Sequence, residues 1–191
     1  MFALANSIRE GKIGNAEIVL VISDKAEAAG IPLAREHGLN AMVIERLGRK
    51  REDHEREVIA ILKEHRVDLI CLAGYMRLLS PEFIQAFPMR ILNIHPSLLP
   101  SFPGLDAQRQ AINHGVKVSG CTVHFVDQTL DGGPILVQKS VPVMDDDSEA
   151  TLAARILEQE HVLYTEAVKL VVSGEFEVVG RRVIRTDSKG Q

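Results

Sequence analysis

Ile91-Leu92-Asn93-Ile94-His95-Pro96-Ser97-Leu98-Leu99-Pro100-Ser101-Phe102-Pro103-Gly104 begins as a buried strand and then breaks its own pattern. An apolar run carries an amide and an imidazole two residues apart and stops at a proline. Side chains alternate along a strand, so Asn93 and His95 share one face. Pro96 cannot donate to a ladder, and it biases His95 toward an extended conformation. Both polar groups are therefore expected at the carboxyl end of a sheet strand, where open α/β sheets bind ligands. A hydrogen-bonded core amide with a satisfied histidine is the alternative. Leu98, Leu99 and the prolines beyond them predict a packed, rigid loop and fit either reading.

On the amino-terminal side, apolar runs alternate with helical periodicity. Leu4 and Ile8 predict a helix over 2–10, with Gly11 as its cap. Ile18 to Ile22 is a β-branched run typical of a strand covered on both faces. A helix over 26–37 closed by Gly38, a short strand over 41–44, an amphipathic helix over 53–65 and a buried strand over 69–73 follow. Val58, Ile61 and Leu62 form the apolar face of the helix over 53–65. Strands and helices at this interval make βαβ units. Beyond Gly104 the character changes. Runs over 121–126 and 135–138, joined through Asp131-Gly132-Gly133, predict an antiparallel hairpin. A long helix from Ser148 to Ser173 starts beside Asp145, Asp146 and Asp147, and 176–184 predicts a terminal β-ribbon. The expected fold is α/β: a Rossmann-like, open, mostly parallel sheet with helices on both faces and an antiparallel C-terminal portion. Residues 1–185 are expected to form a single domain, with a flexible tail over 186–191.

The 191 residues are 46% hydrophobic and carry a formal net charge of −4. That charge gives no electrostatic footprint for nucleic acid. No apolar stretch reaches membrane-spanning length and no signal-peptide pattern opens the chain. Cys71 and Cys121 lie in apolar runs, which suits buried free thiols in a reducing compartment. A soluble cytoplasmic protein is expected.

Other polar residues carry two readings each. Asp131 sits in Leu130-Asp131-Gly132-Gly133-Pro134, a turn signal. A carboxylate on a tight turn is also well placed to orient an imidazole. Glu160 falls at helical spacing with Ile156, Leu163 and Ala167. It is either a stripe-edge residue reaching water or a carboxylate turned into a cleft to hold a cation such as an amine. Gly74 permits a tight strand exit or a close backbone approach to a ligand. Thr122 and His124 face away from Val123 and Phe125, and His124 is expected to be an ordinary sheet-face residue. The histidines at 37, 54, 65, 114 and 161 are expected at the surface or as capping groups. No histidine pair has metal-ligand spacing beside carboxylates or cysteines, so no metal is expected.

Asn93-Ile94-His95-Pro96-Ser97-Leu98-Leu99-Pro100, Pro103-Gly104, Gly120-Cys121-Thr122-Val123-His124-Phe125-Val126 and Leu130-Asp131-Gly132-Gly133-Pro134 together resemble the glycinamide ribonucleotide formyltransferases, folate-dependent enzymes of purine biosynthesis. The resemblance runs from Phe2 to about Val183. Pro103-Gly104-Leu105 and Gln159-Glu160-His161 point to this family among users of 10-formyltetrahydrofolate. By that resemblance Asn93, His95 and Asp131 are catalytic. Met76, Arg77, Leu78 and Leu79, with Val126, Asp127, Gln128 and Leu130, line the folate pocket. Glu160 contacts the amine substrate, Arg51 reaches its ribose side, and Thr122 and His124 support the site. The implied partners are small molecules, glycinamide ribonucleotide and the formyl-folate co-substrate, without nucleic acid or membrane; a homodimer stays open.

Formyl transfer to an amine passes through a tetrahedral oxyanion. Protonated His95 and the Asn93 amide can donate to that oxygen, an effect of about 2.7–4 kcal/mol per donor. Asp131 can stabilise imidazolium and help move the amine's proton. Direct transfer needs no protein nucleophile. The family begins with a strand and a Gly-x-Gly-Ser-Asn loop that binds the substrate phosphate, and Met1 falls just past that loop. The sequence as given is therefore expected to lack a central strand and a phosphate site. The competing readings are a hydrolase that gives the formyl group to water and a non-catalytic folate-binding relic.

Overall fold

The computed structural model describes residues 1–186. Among the described residues eight strands and six helices follow in the order α1 (Phe2–Arg9), β1 (Val21–Ser23), α2 (Gly30–Glu36), β2 (Ala41–Val43), α3 (Arg51–Glu64), β3 (Ile70–Cys71), α4 (Pro81–Ala86), β4 (Ile91–His95), α5 (Ala107–Asn113), β5 (Val118–Phe125), β6 (Ile135–Pro142), α6 (Glu149–Ser173), β7 (Phe176–Val179) and β8 (Arg182–Arg185). The strands form two sheets, β1-β2 and β3-β4-β5-β6-β8-β7. Pairing is parallel at β1–β2, β3–β4 and β6–β8, and antiparallel at β4–β5, β5–β6 and β7–β8. The α/β architecture with an antiparallel C-terminal portion is the one expected; the mostly parallel sheet is not, because β5 reverses against β4 and β6 against β5, so three of the six strand pairings are antiparallel and the strands divide into two sheets.

Two apolar runs ladder less than their sequence promises. Only Val21–Ser23 of the first and Ile70–Cys71 of the other are bonded as strand. Each strand pairs on one side only among the described residues. Both runs stay half-buried. The helix expected over 26–37 begins at Gly30 because Pro32, lacking an N–H, is tolerated only in a first turn. Helices α4 and α5 were not anticipated. Ser80 caps α4 by accepting the Phe83 N–H, with Pro81 in the first turn, a recognisable start signal. The long helix behaves as expected: Ser148 and Thr151 form a reciprocal cap and Gly174 ends it. At the far end, the Thr186 N–H donates to the Glu175 carbonyl at 3.0 Å, which ties the first residue of the expected tail to β7. The rest of that tail lies outside the described residues.

The pleat of β4 divides the core. Leu92 packs with Cys121, Val123 and Phe125 of β5 and with Leu152, Ile156 and Leu163 of α6. Ile91 packs on the opposite face with Ile59 and Leu62 of α3 and Phe83 of α4. The Tyr164 hydroxyl of α6 lies 2.9 and 3.0 Å from the carbonyls of Leu72 and Leu92, joining the ends of β3 and β4.

Candidate functional site

In the β4–β5 register, Asn93 faces His124 and His95 faces Thr122. All four side chains therefore share the face away from α6. The polar set is buried: His95, Thr122 and His124 belong to the core. Its charged member arrives from the β5–β6 connection. Asp131 takes a left-handed backbone conformation at φ +47°, uncommon for a residue with a Cβ. That conformation points its carboxylate at the histidines: Oδ2 lies 3.5 Å from His95 Nδ1 and Oδ1 lies 3.7 Å from His124 Nε2. The Gly104 N–H donates to Asp131 Oδ2 at 2.8 Å, fixing the carboxylate. Gly133 is obligatory in this turn, since a Cβ there would stand 1.9 Å from the Phe125 carbonyl oxygen.

Carbonyl oxygens can only accept, and this sets the proton on each ring. His95 Nε2 lies 2.8 Å from the Phe102 carbonyl and donates to it. Phe102 turns that carbonyl inward from a left-handed conformation, φ +54°. Nδ1 of His95 is thus the nitrogen left for chemistry, and it faces Asp131. His124 Nδ1 donates to the Phe125 carbonyl at 2.8 Å. Burial lowers the His124 pKa, against the opposing pull of that bond and of Asp131. His124 is therefore neutral near pH 7, with Nε2 as an acceptor 3.4 Å from the Asn93 amide nitrogen. This contact orients the Asn93 amide and leaves its second N–H unengaged by His124. The expectation of an ordinary sheet-face residue is corrected accordingly. Thr122 is the scaffold of the neighbouring loop. It accepts from the Leu99 N–H at 3.0 Å and from Gln138 at 3.0 Å, and donates to the Ser97 carbonyl at 2.7 Å.

The residues expected around the folate divide by burial. Met76 and Leu78 are 79% and 57% exposed, and Leu130 is half-exposed; Gln128 is exposed. Leu79 instead packs into the α3–α4 core with Val126 against it. Arg77 pairs with Asp24, just past β1, at 3.3 Å. Asp127 accepts the Thr129 N–H at 2.8 Å and shapes the loop leading to Asp131.

The structure does not bring Arg51 and Glu160 together. Arg51 opens α3 and pairs with its neighbour Glu52 at 3.2 Å. Glu160 belongs to α6, which covers the other face. Burial raises its carboxyl pKa. Burial and the nearby Glu160 carboxylate push the Cys121 thiol up to about 12. Cys121 adjoins Thr122, the residue opposite His95. Glu160 is therefore close enough to Cys121 to act on its thiol, on the α6 side of β5.

Sequence reasoning missed the Phe102 carbonyl and the Gly104 N–H, which no residue type advertises. It also missed Glu55, buried one turn before Ile59 on the same stripe of α3, and the i, i+4, i+7 spacing of Glu55, Ile59 and Leu62 was the available signal. His54 was expected at the surface or as a capping group; it is buried, with Nε2 donating to the Ile44 carbonyl at 2.7 Å. His65 and His114 do cap, donating to the carbonyls of Ile61 and Gln110. Among the described residues no group of three or more His, Cys, Asp and Glu side chains could hold a metal ion. No described helix is long and apolar enough to cross a membrane.

An imidazole, an amide and a carboxylate converging at a strand end suit acyl-type transfer. The formyl transferase family description matches residues 1–168. The chain belongs to the formyl transferase family. Among curated relatives of this family, the phosphoribosylglycinamide formyltransferase of Escherichia coli strain K12 is 39% identical over 92% of this chain and 83% of its own length. The trifunctional purine biosynthetic protein adenosine-3 of Drosophila melanogaster is 45% identical over 90% of this chain; the chain spans only 13% of that protein. A crystal structure of glycinamide ribonucleotide transformylase 1 from Symbiobacterium toebii superposes with a TM-score of 0.93 at 48% identity, covering 96% of this chain and 86% of that one.

Proposed function

We propose that this formyl transferase moves the formyl group of 10-formyltetrahydrofolate onto the amine of glycinamide ribonucleotide. The observation that carries the reading is the convergence of Asn93, His95 and Asp131 at the end of β4. With Nε2 of His95 occupied by Phe102, the developing oxyanion takes hydrogen bonds from Nδ1–H of the imidazolium and from the free N–H of Asn93. Two such donors, fixed before the substrate arrives, give most of the transition-state stabilisation in catalysis of this kind. Asp131 stabilises the imidazolium and receives the proton shed by the attacking amine, directly or through one water. The amine nitrogen adds to the formyl carbon to give the tetrahedral oxyanion; its collapse re-forms the carbonyl and breaks the bond from that carbon to the folate nitrogen, which takes up the proton received by Asp131.

The position of Glu160 supports an approach from two sides. The folate lies against Met76–Leu79 and Val126–Leu130 on the α3 face, and the amine substrate is held from the α6 face by Glu160. The two meet at the strand end. On this reading the reaction belongs to the cytoplasm.

The test is an assay with both substrates, followed by folate absorbance and by formate release. Turnover that requires the amine supports transfer; formate release at the same rate without it supports the hydrolase reading. Glu160→Gln should raise the KM for the amine substrate by about tenfold, the scale of a lost charge-assisted contact, while the KM for the folate stays within about twofold. An unchanged amine KM removes Glu160 from that role.

A further inference from the structure

Formyl transfer as described uses no group from the interior of α3, yet α3 buries a carboxylate. Glu55 is 2% exposed. Its two oxygens lie 3.0 and 3.3 Å from the backbone nitrogen of Ser80. A buried carboxylate costs stability unless its partners offset the loss of water. Its position says what it is doing there.

Ser80 is the N-cap of α4, and its own side chain accepts the Phe83 N–H at 3.2 Å. In a capping box the third helical residue reaches back to the N-cap N–H. That residue here is Phe83, which has no acceptor. Glu55 supplies the missing half from another helix, 25 residues away in sequence. The bond closes the segment that starts at Gly74, where φ of +67° turns the chain out of β3, and contains Met76, Arg77, Leu78 and Leu79. The Arg77–Asp24 ion pair at 3.3 Å fastens the same segment near its middle. Neighbouring His54 donates to the Ile44 carbonyl, so the first turns of α3 pin two loops at once. The Tyr75 hydroxyl lies within the field of this pair of carboxylates: burial, then Glu55 and Asp24, push its pKa up to about 12.

We propose that Glu55 is a positioning residue for the cofactor side of the site. By accepting the Ser80 N–H it holds Met76–Leu79 at the height at which exposed Met76 and Leu78 can meet a folate. The inference rests on the reading that Met76–Leu79 wall the folate pocket. Glu55 touches neither substrate, so it acts through the loop alone.

Two variants and two readouts test this. Glu55→Leu keeps the bulk and removes the acceptor. Amide exchange of Ser80 in the free protein should speed by about tenfold or more, the scale of one lost charge-assisted bond, while the β4 and β5 amides keep their protection. The KM for 10-formyltetrahydrofolate should rise by a similar factor, with kcat and the amine-substrate KM within about twofold. Glu55→Gln keeps shape and one acceptor oxygen and should fall between parent and Leu in both readouts. It carries the test if the Leu variant does not fold. Unchanged Ser80 exchange overturns the tether, whether or not the protein transfers formyl groups. Faster Ser80 exchange with an unchanged folate KM, or with both KM values and kcat moved together, overturns the positioning role and leaves Glu55 as a cap of α4. A parent without formyl-transfer activity defeats the proposed function and, with it, this role, whatever the exchange at Ser80.

Discussion

Leu92 and His95 lie on opposite faces of one five-residue strand, and both are buried. The Leu92 face meets α6 through many small, non-directional contacts, none of which is singly decisive. On the His95 face, contacts are few and directional, and each ring nitrogen has an assigned role: Nε2 to Phe102, Nδ1 toward Asp131. A period of two lets one strand do both, so the packing that fixes its position is physically separate from the groups that position aims. Mutations on the two faces should accordingly separate stability from rate.

The largest expected effect breaks the polar face. His95→Ala should lower turnover by about a thousandfold or more, since it removes one preorganised donor and the partner of Asp131, while circular dichroism stays near that of the parent. Turnover close to that of the parent would erase the distinction between the faces. The apolar face gives the reverse pattern. Leu92→Ala should cost about 3 kcal/mol of stability in urea titration, from lost burial and a residual cavity, with kcat per folded molecule within about twofold. A rate loss that exceeds the loss of folded protein would show that the faces are coupled.

Thr122→Val sharpens the comparison with a smaller change, because it leaves the shape and deletes three hydrogen bonds. Stability should fall by about 2 kcal/mol from the unsatisfied Leu99 N–H and Ser97 carbonyl. Turnover should fall by about tenfold as the loop that presents the Phe102 carbonyl loosens. The smallest effect is electrostatic. Burial lowers the pKa of His124, so the unfolded chain binds its proton more readily than the folded one. The stability from this group is complete above the unfolded value of about 6.5 and is lost as pH falls through that value toward the folded pKa. His124→Gln should flatten the part of a plot of stability against pH that falls just below about 6.5. An unchanged slope would place the titration elsewhere.

Much of this was legible. The alternation in Ile91–His95 announced the strand and the shared face of Asn93 and His95, and the spacing through α6 announced its buried stripe. The turn at Asp131 was visible as a turn and, through the family resemblance, as part of the site. Two kinds of feature escaped. Backbone acceptors and donors such as the Phe102 carbonyl and the Gly104 N–H leave no mark in composition, because every residue has them and only the loop's path selects which are used. Buried polar side chains within helices escaped for a different reason: Glu55 and His54 lie in a charged segment, and their partners, the Ser80 N–H and the Ile44 carbonyl, lie outside the helix. The strands β1 and β3 were over-read, since an apolar β-branched run records a capacity for pairing and the number of laddered residues depends on neighbours.

The division of the strands into a pair and a set of six bears on how the molecule comes apart. The pair β1–β2 shares three residue couples and no ladder with the larger sheet among the described residues. Cooperativity requires that the loss of one element destabilise the next, and here the link runs through side chains such as Asp24–Arg77 and His54 rather than through backbone bonds. Calorimetry should therefore resolve a low-temperature shoulder before the main transition, with the enthalpy of the whole not equal to that inferred from its steepness. A ligand held by the segment that Arg77 anchors would bind only when both units are folded, and would draw the two transitions toward one.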